Sequence, residues 1–245
     1  MIAFKESKTF QNSKQVFASL PLIEFWDFFF PRLCISCNEK LNKNERIICL
    51  SCFNKIKSPT KKILQQEFEK KFLKTKIISD FYSAFLFEKD GVLQDAIHAL
   101  KYNSRFLTGV FWGKVLGNFM QDKIIDWDID FIIPVPLHKF KRLERGYNQS
   151  YYISKGLSKR LDLKLNNRIL ERIRYTKSQT KLNMSERQDN MKGAFFVINK
   201  KQIIGKNILL VDDVITTGAT VSECGKVLLE AGAAKVYSAS IAIAE

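Results

Sequence analysis

A chain of 245 residues is long enough for one α/β domain plus a smaller appendage, and a 46% hydrophobic content with 20 Phe excludes wholesale disorder. No apolar run reaches the ~20 residues that a membrane-spanning helix needs. Lys5, Glu6, Lys8 and Lys14 interrupt the start, where a secretory signal would be continuously apolar, so a cytoplasmic protein is expected. Of the net charge of +15, the stretch 139–192 holds 15 Lys or Arg against 5 acids and the stretch 1–74 holds 14 against 7. Such a distribution suits polyanionic partners, nucleic acid or phosphorylated small molecules, and equally suits a solvated basic face.

Taken in chain order, four of the five cysteines come first, as Cys34-Ile35-Ser36-Cys37 and Cys49-Leu50-Ser51-Cys52 with eleven residues between them. Each CxxC turn places two thiolates on one side of a tight loop, and two turns complete a tetrahedral sulfur shell, so structural zinc is the expectation. The alternatives are a disulfide pair, which an intracellular protein disfavours, and a redox CxxC, which leaves one pair idle. Lys40, Lys43, Arg46, Lys55, Lys57, Lys61 and Lys62 surround the knuckles. The following stretch, KKILQQEFEKKFLK at 61–74, has the spacing of an amphipathic helix, either a solvated linker or a binding element. These features divide the chain into an N-terminal extension at 1–28, a four-cysteine module with its linker helix at 29–75, and a main domain at 76–245.

From residue 77 onward, short apolar runs alternate with helical periodicity, the pattern of βα units around a largely parallel sheet. Strands are predicted at 82–87, 131–135, 168–175, 208–211 and 236–243, and helices at 92–100, 106–120, 148–161 and 223–231, the last closed by Gly232. Cys224 falls within that last helix as a small core residue. In such sheets ligands sit beyond the carboxyl ends of the strands, and Asp212-Asp213 is read as emerging there, directly after Ile208, Leu209, Leu210 and Val211.

The residues after the acids, Thr216, Thr217, Gly218, Ala219 and Thr220, turn into a helix. Backbone N–H groups at such a turn point at a phosphate, threonine hydroxyls add donors, and Gly218 lets the backbone approach closely. Two carboxylates beside a phosphate cup cannot favour the phosphate itself. They suit vicinal ribose hydroxyls, with Mg²⁺ reducing the repulsion, so the composite pattern reads as a sugar-phosphate site. The plain alternative is a surface loop whose threonine caps the helix.

The run LLVDDVITTGAT at 209–220 resembles the diphosphoribose-binding signature of type I phosphoribosyltransferases. Leu100-Lys101-Tyr102, IIPVPLHKFKRLERGYNQS at 132–150, RIRYTKSQTKLNMSERQDNMKGAFFV at 172–197 and the cysteine module are similar to the ComF family of competence-associated proteins, over residues 29–244. The resemblance implies a type I phosphoribosyltransferase-like α/β fold, a mainly parallel sheet flanked by helices, with a small zinc-ribbon-like module in front. It implies that Asp212 and Asp213 hold the ribose hydroxyls of phosphoribosyl diphosphate, with Mg²⁺. Thr216, Thr217, Gly218, Ala219 and Thr220 would take its 5-phosphate, while Pro136, Leu137, Lys101 and Tyr102 lie near its diphosphate. Residues 176–187 would form a hood over the substrate, or bind a nucleic-acid backbone.

Arg142, Arg145, Arg172, Arg174 and Arg187 are candidates for binding single-stranded DNA, Tyr147 being either a stacking residue or core. His138 is either a site residue or structural, and His98 a structural residue on its helix. A DNA-uptake helicase is an implied partner. Two functions follow: a protein that binds phosphoribosyl diphosphate and handles single-stranded DNA during uptake, or an active phosphoribosyltransferase on a base or amine.

Overall fold

The structure is a computed structural model describing residues 31–102, 106–175 and 191–245. Six strands form among these residues: β1 (Phe81–Leu86), β2 (Phe131–Pro134), β3 (Leu170–Arg172), β4 (Phe195–Val197), β5 (Asn207–Ile215) and β6 (Lys235–Ile243). Four of them make one parallel sheet in the order β1-β6-β5-β2. In β6 every position after Lys235 is buried, as a parallel strand covered on both faces requires. The helices are α1 (Leu50–Phe53), α2 (Lys61–Phe68), α3 (Val92–Tyr102), α4 (Phe106–Phe119), α5 (Gln121–Trp127), α6 (Lys139–Arg145), α7 (Gln149–Leu161) and α8 (Ala219–Glu230).

Two strand expectations change. The stretch 168–175 contributes only the three residues of β3, which pair antiparallel with β4 outside the main sheet. Leu170, Phe195 and Val197 are buried while Glu171 and Phe196 face water, so the ribbon has a single packed face. The strand expected to stop at residue 211 runs on to Ile215 because β6 continues beside it, pairing Asp212 with Ser240 and Ile215 with Ile243. On the other side β2 ends where Pro134 meets Val211. The paired acids therefore lie within a strand that has outrun its neighbour.

Two clusters of buried side chains sandwich the sheet. The first gathers Leu100, Trp112, Leu116, Ile153 and Leu157 from α3, α4 and α7, and it also contains Cys34, Cys49 and Cys52. Phe53 stacks on Trp112 at 6.1 Å and meets Phe85 edge-on at 6.0 Å, so the cysteine module shares this core. The second cluster joins α8, the β3-β4 ribbon and Phe72.

Phe72 sits in a π-helical turn, Glu69–Leu73, that continues α2. The stretch at 61–74 is thus no solvated linker. Phe72 is fully buried against Phe81, and Lys71, itself buried, pairs with Glu67 and donates to the Ala244 carbonyl at 3.0 Å. Burying that ion pair removes two charges from water, which their mutual contact and the added carbonyl bond offset.

Helices α4 and α7 touch backbone to backbone. A Cβ on Gly113 would lie 1.9 Å from the Ile153 carbonyl oxygen, and one on Gly156 would lie 2.1 Å from that of Val110. These reciprocal glycines let α7 lie close to α4 and fix where its N-terminus points.

Candidate sugar-phosphate site

The N-terminus of α7 meets the open end of β5. Asn148 caps the helix, its Oδ1 accepting from Ser150 N at 3.1 Å, and its Nδ2 donates to the Val135 carbonyl at 3.0 Å. That second bond ties the helix start to the loop after β2. Ser150 Oγ then donates to Asp212 Oδ1 at 2.9 Å. On Asp213, Oδ2 pairs with Lys101 Nζ at 2.8 Å, from the end of α3.

The two carboxyls are driven apart by their surroundings. Burial, with the charge of Asp213 beside it, raises Asp212 to about 7. Burial would also raise Asp213, but the charge and hydrogen bond of Lys101 outweigh it and hold that carboxyl below its ordinary value. Lys101 is raised in return by Asp213.

A cavity of about 200 Å³ opens over these groups, lined by Asp212, Asp213, Pro136, Leu137, Ser150 and Thr220, with Lys141 and Arg172 on its wall. Burial lowers Lys141, and Arg172 adds to the effect. A small recess continues from it, enclosed by residues 214–221. There Gly218 takes φ +76° as the cap of α8, and Thr217 Oγ1 accepts weakly from Ala219 N at 3.4 Å. The cap is glycine and makes no side-chain cap bond, so threonine is not the N-cap, and the first turn of α8 lines the recess.

Most expected ligand residues therefore converge: Asp212, Asp213, Thr216, Thr217, Gly218, Ala219, Thr220, Pro136 and Leu137 all line the cavity or its recess. Lys101 reaches the site through Asp213. Tyr102 closes α3, and its side chain lies outside the described residues. Also outside them are Arg187, the stretch 176–187 and the extension 1–28.

The basic candidates separate. Arg172 faces the cavity, Arg142 lines an adjoining groove, Arg145 ends α6, and Arg174 is exposed beyond β3. His138 is buried, and its Nδ1 accepts from Phe140 N at 3.3 Å, which makes it the cap of α6; burial lowers it. Tyr147 donates to the Leu100 carbonyl and packs edge-on to Tyr152. His98 is exposed on α3, and Cys224 is fully buried.

Lys141 and Ser150 join the site beyond the residues the sequence singles out. Ser150 is 62 positions from Asp212 in sequence, and a pairing between residues so far apart leaves no local signal.

The four cysteine sulfurs lie within 4.8 Å of one another, Cys37 and Cys49 at 3.7 Å. A tetrahedral zinc about 2.3 Å from each sulfur separates the sulfurs by roughly 3.8 Å, so the cluster is of a size to hold a metal ion. Cys34 Sγ accepts from Cys49 N and Cys49 Sγ from Cys52 N, both at 3.4 Å, the backbone donors that knuckle thiolates require. Among the described residues no helix is long and apolar enough to cross a membrane.

In this parallel sheet an inner strand carries paired acids to a glycine-capped helix, and residues 148–244 match the family model described as a phosphoribosyl transferase domain. Competence protein F of Haemophilus influenzae is 41% identical over 106 residues, covering 43% of this chain and 46% of that protein. DNA utilization protein YhgH of Escherichia coli O6:H1 is 38% identical over 107 residues, covering 44% and 46%. The chain thus spans about half the length of the curated relatives it matches. Among solved structures an adenine phosphoribosyltransferase aligns at 15% identity with a TM-score of 0.35, covering 64% of this chain and 72% of that one. The chain is similar to these competence and DNA utilization proteins over about half of their length, and it has the type I phosphoribosyltransferase-like fold with a four-cysteine cluster in front.

Proposed function

We propose that the chain binds phosphoribosyl diphosphate with Mg²⁺ and handles single-stranded DNA during DNA uptake, in keeping with relatives named for competence and DNA utilization. The observation that carries the ligand is the arrangement of Asp212 and Asp213 between two helix N-termini, with Lys101, Lys141 and Arg172 around them. In this reading the carboxyls accept from the ribose hydroxyls, the α8 N-terminus takes the 5-phosphate, and Pro136, Leu137, Lys141 and Arg172 surround the diphosphate. Mg²⁺, when bound, would neutralise diphosphate charge. The four sulfurs hold zinc as scaffolding, and 29–75 and 76–245 are the two working units behind the extension 1–28. Arg142, Arg145, Arg172, Arg174 and Arg187 supply cations for the strand, a cytoplasmic helicase of the uptake machinery being the fitting partner. Calorimetric titration with phosphoribosyl diphosphate and Mg²⁺ tests the site: binding in the unaltered chain and its loss in Asp213→Asn are expected, and equal binding in both would refute it.

A second reading, turnover, is favoured by Asp212, whose carboxyl near 7 can take a proton at neutral pH. A nitrogen of the acceptor would form a bond to the anomeric carbon while the carbon–oxygen bond to diphosphate breaks, diphosphate leaving with the electron pair and the acceptor proton passing to Asp212. Release of diphosphate on incubation with bases, amines or DNA ends, lost in Asp212→Asn, distinguishes this reading from binding alone.

A further inference from the structure

Beside the sugar-phosphate cavity lies a larger groove of about 600 Å³, within the range of sites that hold drug-sized ligands. The two share Pro136, Leu137, Asn148 and Arg172, so the groove is a lateral continuation of the cavity beyond the edge of β2. One wall is aromatic: Tyr147, Tyr151 and Tyr152, where Tyr152 meets Tyr151 at 5.2 Å and 78° and Tyr147 at 5.3 Å and 89°. Tyr147 is anchored to the Leu100 carbonyl and Tyr152 packs on Phe106 at 5.1 Å, which leaves Tyr151 as the ring held in place by the others and half-exposed to the groove. The lining is also cationic, with Lys139, Arg142, Arg168 and Arg172 against one acid, Glu171.

Rigid aromatic rings and four Arg or Lys lining one groove suit a chain whose units each carry a flat base and an anionic phosphate. A sugar phosphate alone has nothing to place against the tyrosines, and an acidic peptide has no need of them. We propose that this groove is the seat of unpaired nucleotides of single-stranded DNA, a base stacking on Tyr151 and the backbone lying along Arg142 and Arg168, with Arg172 at the junction shared by the strand and the sugar diphosphate. This inference rests on the DNA-handling reading above and adds to it a location and a consequence. Two anions converging on one guanidinium repel each other, so each ligand weakens the other by the same factor.

The test is fluorescence anisotropy of a labelled oligothymidylate with the full chain, repeated as a duplex, with the variants Tyr151→Ala and Arg168→Ala, and with saturating phosphoribosyl diphosphate and Mg²⁺. Both variants are expected to weaken the single strand about tenfold, in the range of one lost stacked base or phosphate contact. Their calorimetric binding of phosphoribosyl diphosphate should be unchanged, which also certifies their folding. The duplex should bind less tightly than the single strand, and the diphosphate should lower the affinity of the strand. Single-strand affinity unaltered in Arg168→Ala and Tyr151→Ala overturns the groove while leaving DNA handling standing. Equal binding of duplex and single strand, or indifference to the diphosphate, overturns stacking or the shared junction. Absence of binding by the unaltered chain removes DNA handling itself, and the groove with it.

Discussion

Phe72 lies directly against Gly218: a Cβ built on that glycine would stand 2.7 Å from Phe72 Cε1. The ring comes from the π-helical turn after α2, and the glycine is the left-handed cap of α8. The stretch that links the cysteine module to the main domain thus packs directly against the turn that opens α8. Gly218→Ala both strains a φ of +76° and collides with the ring. Left-handed backbone alone costs a non-glycine residue roughly 1–2 kcal/mol, so a lowered melting temperature and at least a tenfold loss in calorimetric affinity for phosphoribosyl diphosphate are expected. Phe72→Ala, which opens a void instead, should cost about 3–5 kcal/mol of stability by chemical denaturation.

The opposite shifts of Asp212 and Asp213 give the ligand-free protein a two-signed pH response. Asp213, depressed when folded, contributes stability that is present above its ordinary pKa and lost as pH falls through its folded value. Asp212, raised to about 7 when folded, works the other way: its folded state holds a proton that the unfolded chain has released, so its contribution declines as pH rises from about 4 to 7. Asp212→Asn should therefore raise stability at pH 8 by on the order of 1 kcal/mol, while abolishing ligand binding. Denaturant titrations of both proteins at pH 5 and pH 8 check this, and the gain should shrink at the lower pH.

Lys101→Met removes the charge that keeps Asp213 ionised, leaving a buried carboxyl without its counter-ion. Such losses cost about 3–5 kcal/mol when the remaining charge cannot be neutralised. The smaller outcome is expected here because Asp213 can take up a proton. The variant should bind phosphoribosyl diphosphate only at a pH where Asp213 is again ionised, seen as an affinity that rises with pH more steeply than in the unaltered chain.

The sheet strands were legible because period and composition are local. Ile208 to Val211 reads as buried strand on its own, and Gly218 followed by a helical pattern reads as a turn. What was not legible depends on neighbours distant in sequence. Nothing in 212–215 reveals that β6 extends alongside and keeps those residues in the ladder. Helix α6 was missed because Phe140 and Leu143 are exposed and no apolar stripe marks it; its ends are set by His138 and by Gly146 at φ +78°. The 61–74 stretch carries few apolar residues, and only the fold shows that one of them, Phe72, enters the core. At the site, residue types are readable and pairings are not: nothing in the sequence joins Lys101 to Asp213, its partner in the fold.

The contact of α4 with α7 sets the site from behind. Gly156→Ala would place a methyl group 2.1 Å from the Val110 carbonyl oxygen, and backbone on both sides cannot yield cheaply. Overpacking of this kind typically costs 1–3 kcal/mol, occasionally more. The helices must separate, and Ser150 on α7 should then lose its bond to Asp212. Reduced stability in urea together with weakened phosphoribosyl diphosphate binding is expected, although Gly156 lies far along α7 from the cavity. Weakened stability with intact binding would show that α7 can tilt without moving its N-terminus.

The sulfur cluster offers a test with a built-in reporter. Phe53, one residue after Cys52, stacks on Trp112 in the shared core. Four thiolates crowded within 4.8 Å repel one another unless a cation sits among them, and Cys52 is pushed up to about 12 by burial and by the neighbouring thiols. Removing metal with a chelator, or replacing Cys49 with Ser, should therefore loosen the module and expose Phe53 and Trp112. We expect one zinc per chain by elemental analysis, its loss in Cys49→Ser, and a red shift of tryptophan emission with a lower melting temperature. Because the module's linker packs on Gly218 through Phe72, chelation should weaken phosphoribosyl diphosphate binding as well. Unchanged affinity after complete metal removal would show that helix α2 and the π turn hold their place by packing on the sheet alone.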